Sequence, residues 1–404
     1  MAQLPSGEPA PANGILPVAP GHAFNSTFHA YVHVPFCRVR CGYCDFNTYT
    51  ATELQGYPQT AFISNLKAEI ALAKDSVGER KLETIFFGGG TPTLLPAHEL
   101  AEALELLRDA FGIAEGAEIT TEANPDTVDQ DYLQTLFDAG FNRISFGMQS
   151  AVPEVLETLE RSHNPAMVAK NVQVAKEIGF QTSVDLIYGA PGETMEQWQR
   201  SVDAAMELGT DHISAYALIV EPATKLARQI ASGEKPEPDE DLQADKYEWL
   251  DRKLREAGFD WYELSNWSRG VGTDSRHNIA YWQGMDWWGF GPGAHSHVAG
   301  RRWSNVKHPT TYAKLLADGH IPRGEVEELS QEQRLEERAM LELRLRNGLD
   351  LGVVKELNSE HAKAISELVA SGLIDGPGAI AGRALLTLNG RLLADFVLRK
   401  LLGL

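Results

Sequence analysis

From Phe28 onward, short apolar or β-branched runs alternate with longer stretches in which apolar residues recur every three or four positions. The runs 29–34, 84–87, 118–122, 143–146, 183–188 and 212–218 predict strands. Helices between them announce their ends. Asn164-Pro165 predicts an N-cap with proline in the first turn of a helix that stops at Ile178-Gly179. Thr194 and Gln197 have capping-box spacing, after which Met195, Trp198 and Val202 share one face. Leu133, Leu136 and Phe137 form a similar stripe closed by Gly140. Strands alternating with helices over 28–233 predict an α/β fold, a partial (β/α)6 TIM-like barrel, with an open doubly wound sheet as the alternative. In either, functional groups gather at the C-terminal ends of the strands.

The flanks read differently. Residues 1–27 carry five prolines with little apolar periodicity and predict a flexible leader. Over 234–324, an acidic link and a helix precede a stretch holding six of the eight tryptophans, His277, His295, His297 and a Gly-Phe-Gly-Pro-Gly run. Residues 325–404, opened by a Ser330/Gln333 capping box, predict a small, mostly helical, winged-helix-like C-terminal domain.

Charge narrows the partners. Thirty-six basic against 56 acidic residues leave a net charge of −20, which opposes non-specific attraction to nucleic acid or anionic lipid. There is no Lys or Arg before Arg38 and no run of about 20 apolar residues, so neither a signal peptide nor a membrane span is expected and the location reads as cytoplasmic.

All three cysteines fall within eight residues, Cys37-x3-Cys41-x2-Cys44, directly after the first strand. Soft thiolates in such a cluster suit iron, and a [4Fe–4S] cube held by three of them leaves one iron open to a small molecule. The competing reading is a Cys3His zinc site using His29 or His33, or buried thiols without metal. Gly88-Gly89-Gly90 on leaving the second strand lets backbone approach a ligand closely, although three glycines alone also make a tight turn. Glu122, Gln149 and Asp185 recur at later strand ends and Arg161 follows on a helix; each is a structural hydrogen-bonding group or a ligand contact.

The cysteine motif with Tyr43, preceded by Tyr31-Val32-His33-Val34-Pro35-Phe36 and followed by Gly88-Gly89-Gly90-Thr91-Pro92, resembles the radical S-adenosylmethionine superfamily. The likeness is to the branch that contains oxygen-independent coproporphyrinogen III dehydrogenases and HemW-type haem chaperones, and it runs from about Tyr31 to the C-terminus. It implies a [4Fe–4S] cluster on Cys37, Cys41 and Cys44. It also implies S-adenosylmethionine contacts at Tyr31, Gly89, Gly90, Thr91, Glu122, Gln149, Arg161 and Asp185, with Asp185 toward the ribose and Arg161 toward the methionine carboxylate.

His277-Asn278-Ile279-Ala280-Tyr281-Trp282 matches the His-Asn-x-x-Tyr-Trp motif of this branch. Chemistry alone leaves His277 open between a haem ligand and a satisfied core residue; the resemblance favours haem, with His295 and His297 weaker candidates. Two functions follow from the resemblance. One is a chaperone that binds haem and transfers it to apo-haemoproteins of the respiratory chain, with at most peripheral membrane contact and a homodimer allowed. The other is radical oxidative decarboxylation of coproporphyrinogen III. The dehydrogenases place a further cysteine two positions after the last cluster cysteine; here that position is Phe46. Their basic N-terminal extension has no counterpart either, since no Lys or Arg precedes Arg38. The chaperone reading is therefore preferred, and a radical enzyme with an unrelated substrate is the third alternative.

Overall fold

The computed structural model describes residues 8–9, 24–25, 27–54, 56–161 and 163–404. Its strands are β1 (Glu8–Pro9), β2 (Phe28–Val34), β3 (Leu82–Gly89), β4 (Ile113–Ala123), β5 (Arg143–Gln149), β6 (Gln181–Tyr188), β7 (His212–Ala217), β8 (Asp260–Glu263), β9 (Asn266–Ser268), β10 (Asp286–Phe290), β11 (His295–Val298), β12 (Arg301–Asn305), β13 (Arg323–Glu328), β14 (Leu349–Asp350) and β15 (Arg383–Ala384). Most of the expected leader lies outside the described residues; of it, β1 pairs antiparallel with β13.

The chain divides into two compact units, Met1–Gln243 with Met285–Glu328, and Ala244–Gly284 with Leu329–Leu404. In the first, β2 to β7 lie side by side in sequence order, every neighbouring pair parallel. Parallel strands are covered on both faces, which is why β2 is almost wholly buried. Helices Phe62–Val77, Ala97–Phe111, Gln130–Ala139, Pro165–Ile178 and Met195–Glu207 form the crossovers. This is the expected partial α/β barrel. Its punctuation matches: Asn164 caps the helix after β5, Thr194 and Gln197 close a capping box, and Gly140 ends its helix in the left-handed conformation.

The tryptophan-rich segment behaves otherwise than as a single region. Its second half forms β10, which extends the barrel by pairing parallel to β2, and the meander β11–β12–β13 continues from it. Asp286 opens β10 with no exposure because Arg80 (2.8 Å) and Asn25 satisfy its carboxylate. The first half, with the hairpin β8–β9 and the His277 helix Arg276–Trp282, belongs to the second unit. That unit also holds the short β14–β15 pair and the helices from Gln331 to Leu402 around a core that includes Leu343, Leu349, Val354, Val397 and Leu401. Among the described residues, no helix is long and apolar enough to cross a membrane.

Candidate functional site

β2 hands the chain to the cysteine loop, whose base is closed by Cys37 N–H to the Tyr49 carbonyl (3.0 Å) and Tyr49 N–H to Pro35 (2.7 Å). Cys44 N–H donates to the Cys41 carbonyl, turning the loop back on itself. On the other flank Gly42 receives the Leu226 N–H, and Tyr43 packs against the apolar cluster of Val152, Leu159, Ile187 and Leu218. All three thiols are free and half-buried. Burial raises the Cys37 thiol, partly offset by the Thr48 and Thr91 hydroxyls, and pushes Cys44 up to about 11. Without metal Cys37 and Cys44 are neutral, and binding iron expels their protons.

The donor set fits a cube better than a zinc tetrahedron. His29 spends its ring on Thr84 and Thr27, and His33 bridges the Tyr31 hydroxyl (3.0 Å) and the Asn47 carbonyl (2.9 Å). Among the described residues no three His, Cys, Asp or Glu side chains converge on a single-ion site. Thiolates on separate iron atoms of a cube need no such convergence.

The glycine run packs onto this loop. Gly90 N–H donates to the Val34 carbonyl and Thr91 N–H to Phe36, so the β2–β3 pairing continues past the strands' ends. A Cβ on Gly90 would stand 2.5 Å from the Phe36 carbonyl oxygen, and one on Gly89, at φ +108°, 2.5 Å from His33 Nδ1. Beside them Glu122 is pushed up to about 8, chiefly by burial and then by the charge of Asp185, against the Gly89 N–H that bonds it. Asp185 takes the Ser145 hydroxyl at 3.0 Å on both oxygens and the Ser214 hydroxyl; burial still raises it, while Arg143 and Arg161 pull it down. Two mutually repelling carboxylates suit a cationic ligand.

Arg161 faces them with the opposite charge. Its guanidinium reaches Cys41 Sγ (3.6 Å), the Asn124 side chain and the Gly147 carbonyl (3.2 Å), and its buried Nε–H has no protein partner. An unmatched buried donor beside a cysteine of the loop fits a carboxylate-bearing ligand.

Cys37, Cys41, Cys44, Tyr31, Gly89, Gly90, Thr91, Glu122, Gln149, Arg161 and Asp185 thus all belong to the first unit: Tyr31 and Asp185 lie within β2 and β6, and the others lie at the C-terminal ends of β3 to β5 or in the segments that follow the strands. Ser145, Ser214, Asn124 and Asn47 join them and were missed, and His33, weighed in the sequence only as a zinc ligand, joins them through Tyr31 and Asn47. Ser145 and Ser214 become visible only through the register that sets them beside Asp185, whereas Asn124-Pro125 at a strand end was a signal available in the chain.

His277 lies in the second unit and is 1% exposed. Its Nε2 is 2.9 Å from the Tyr281 hydroxyl, with the rings edge to face at 4.7 Å. Asn278 bonds Glu263 (3.1 Å), so the motif knits its helix onto the β8–β9 hairpin. His295 and His297 sit on β11, where His297 Nδ1 faces the Met285 carbonyl.

Residues 31–205 match the model of the radical SAM superfamily. The chain is 46% identical to "Heme chaperone HemW" of Mycobacterium tuberculosis over 98% of each chain. With the Bacillus subtilis protein of that name it shares 34% over 93% of this chain and 99% of the other. Among solved structures, Escherichia coli coproporphyrinogen III oxidase (HemN), described as a radical SAM enzyme, superposes with a TM-score of 0.79 over 93% of this chain and 90% of that one, at 24% identity, a likeness of fold. Membership of the superfamily implies a [4Fe–4S] cluster and S-adenosylmethionine. With close to half of its residues shared through the whole length of such a relative, this chain belongs to the HemW family of radical S-adenosylmethionine proteins.

Proposed function

We propose that the chain is a cytoplasmic haem chaperone, which binds haem and passes it to apo-haemoproteins, those of the respiratory chain included. The observation that carries this reading is full-length similarity to proteins named haem chaperones. Phe46, standing 65% exposed where the dehydrogenases have a further cysteine, supports it. In this reading Cys37, Cys41 and Cys44 hold the [4Fe–4S] cluster. Tyr31, Gly89, Gly90, Thr91, Glu122, Gln149, Arg161 and Asp185 hold S-adenosylmethionine. When bound, the pair supplies one-electron reductive chemistry.

The chain's own contribution is placement and charge. Gly89 and Gly90 let backbone approach, Glu122 and Asp185 offset positive charge, Arg161 takes a carboxylate, and the Tyr43 side of the loop is sealed by apolar packing. Haem iron would take His277 Nε2, which has to leave the Tyr281 hydroxyl to do so.

The test is absorption spectroscopy of haem added to the anaerobically reconstituted chain, His277→Ala and Tyr281→Phe, with porphyrinogen decarboxylation assayed in the same samples. Haem binding lost in His277→Ala and kept in Tyr281→Phe is expected. Turnover of coproporphyrinogen without affinity for haem overturns the reading in favour of the dehydrogenase.

A further inference from the structure

Gln149 ends β5 in a backbone conformation that side chains seldom adopt. Its φ is +60°, the β5–β6 register shifts between Gly147 and Gln149, and Ser150 N–H bonds back to the Met148 carbonyl at 2.7 Å. A bond from residue i+2 to residue i across a positive φ is the rare, strained form of γ-turn, and such backbone persists only where its surroundings hold it.

The Met148 carbonyl has a second donor, His163 Nε2, at 2.9 Å. Arg161, two residues earlier, donates to the preceding carbonyl, Gly147, at 3.2 Å. The bulge therefore offers two successive carbonyls, and two side chains of one short segment take them. His163 is 5% exposed. Because a carbonyl only accepts, Nε2 carries the imidazole proton and the buried Nδ1, which has no protein partner, is a bare acceptor. Burial and the charge of Arg161 hold the ring neutral, its pKa lowered to about 4.

We propose that His163 is a positioning residue of the cofactor site: its Nε2–H secures the strained turn at Met148 and so sets the Gln149 side chain and the Arg161 guanidinium where the cofactor meets them. This rests on the reading of Gln149 and Arg161 as S-adenosylmethionine contacts.

Three substitutions separate the clamp from mere packing. His163→Gln sets an amide N–H where Nε2–H stood, His163→Asn is too short to reach Met148, and His163→Ala removes both nitrogens. The full-length chain with its cluster reconstituted is titrated with S-adenosylmethionine by calorimetry, and the reduced cluster is examined by electron paramagnetic resonance with and without it. Expected are a loss of about tenfold or more in affinity for His163→Ala and His163→Asn, the scale of one charged-site hydrogen bond. The cofactor-dependent change of the signal should vanish with it, and His163→Gln should restore both. Unchanged binding in His163→Ala, or a His163→Gln no better than His163→Ala, overturns the proposal. An unsubstituted chain that binds neither cluster nor cofactor sinks the functional reading instead. In that case nitrogen-15 NMR of the cluster-free chain decides for His163: a neutral ring protonated on Nε2 near pH 7 supports the clamp, and an Nδ1–H or cationic ring overturns it.

Discussion

Glu122 and Asp185 are two half-buried carboxylates, the charge of Asp185 adds to the cost of ionising Glu122, and a cation placed beside them relieves that cost. With Glu122 at about 8, much of it is protonated at neutral pH and must lose that proton to meet a positive ligand. S-adenosylmethionine affinity should therefore rise toward pH 8, by up to about tenfold per unit, and Glu122→Gln should abolish the rise. Calorimetric titrations across that range check this. Glu69 makes a second case. Its fully buried carboxyl collects the Gly291 N–H (2.8 Å), the Asn305 amide (2.7 Å) and the Tyr312 hydroxyl (2.6 Å), yet burial outweighs these donors and raises it from 4.5 to about 7. Since the folded value lies above the unfolded one, its contribution is fully present below about 4.5 and lost as pH rises through about 7. Glu69→Gln imitates the protonated form, so urea unfolding should show its deficit against the unsubstituted chain shrinking between pH 5 and pH 8.

Elements were legible where local signals and long-range packing agreed. All six expected strands are present and the caps at Asn164, Thr194 and Ser330 are made, because each needs only a few consecutive residues. β10 was not legible. Asp-Trp-Trp-Gly-Phe has no clean alternation, and what makes it a strand is β2, far away in the chain, together with Arg80 against Asp286. Site residues followed the same division. The cysteines and glycines announce themselves by spacing, whereas Ser145 and Ser214 serve Asp185 only through register. Glycines likewise differ by what surrounds them. Gly90→Ala drives a Cβ to 2.5 Å from the Phe36 carbonyl oxygen and 2.9 Å from that of Val34, at the end of β2 and in the segment that leads from it into Cys37. It should cost about 1–3 kcal/mol and lower iron incorporation. Gly116→Ala, at φ +69° and with open space within 4 Å of the added Cβ, should cost about 1 kcal/mol of backbone strain and leave iron content unchanged. Denaturation of the cluster-free chains and iron analysis after reconstitution distinguish the two.

At the scale of the whole chain, linear reading fails for a topological reason. Composition shifts suggested parts at 234–324 and 325–404, but the second compact unit is assembled from Ala244–Gly284 and Leu329–Leu404, with the β10–β13 strands between them given to the barrel. What joins the two pieces is chemistry that no local pattern advertises. Asp251 and Arg391, 3% and 1% exposed, pair at 2.8 Å. Trp267 donates its indole N–H to the same carboxylate (3.0 Å), and the guanidinium lies 4.4 Å from the Trp261 ring centre. Burial alone would raise Asp251, but the hydrogen bond and charge of Arg391 outweigh it and hold the carboxyl below its usual range. Arg391→Met strips the charge from one side only and leaves a buried carboxylate with the indole and Arg255 as its remaining donors, so unfolding of this unit should become easier by about 3–5 kcal/mol. Adding Asp251→Leu removes the stranded charge and should recover most of that loss, but not all, because the Trp267 N–H then lacks an acceptor at a cost of about 1–3 kcal/mol. Hydrogen exchange read over 244–256 and 388–402 measures the cycle. A single variant as protected as the unsubstituted chain, or a double variant worse than the single, would show that the two pieces are joined by apolar packing rather than by this ion pair.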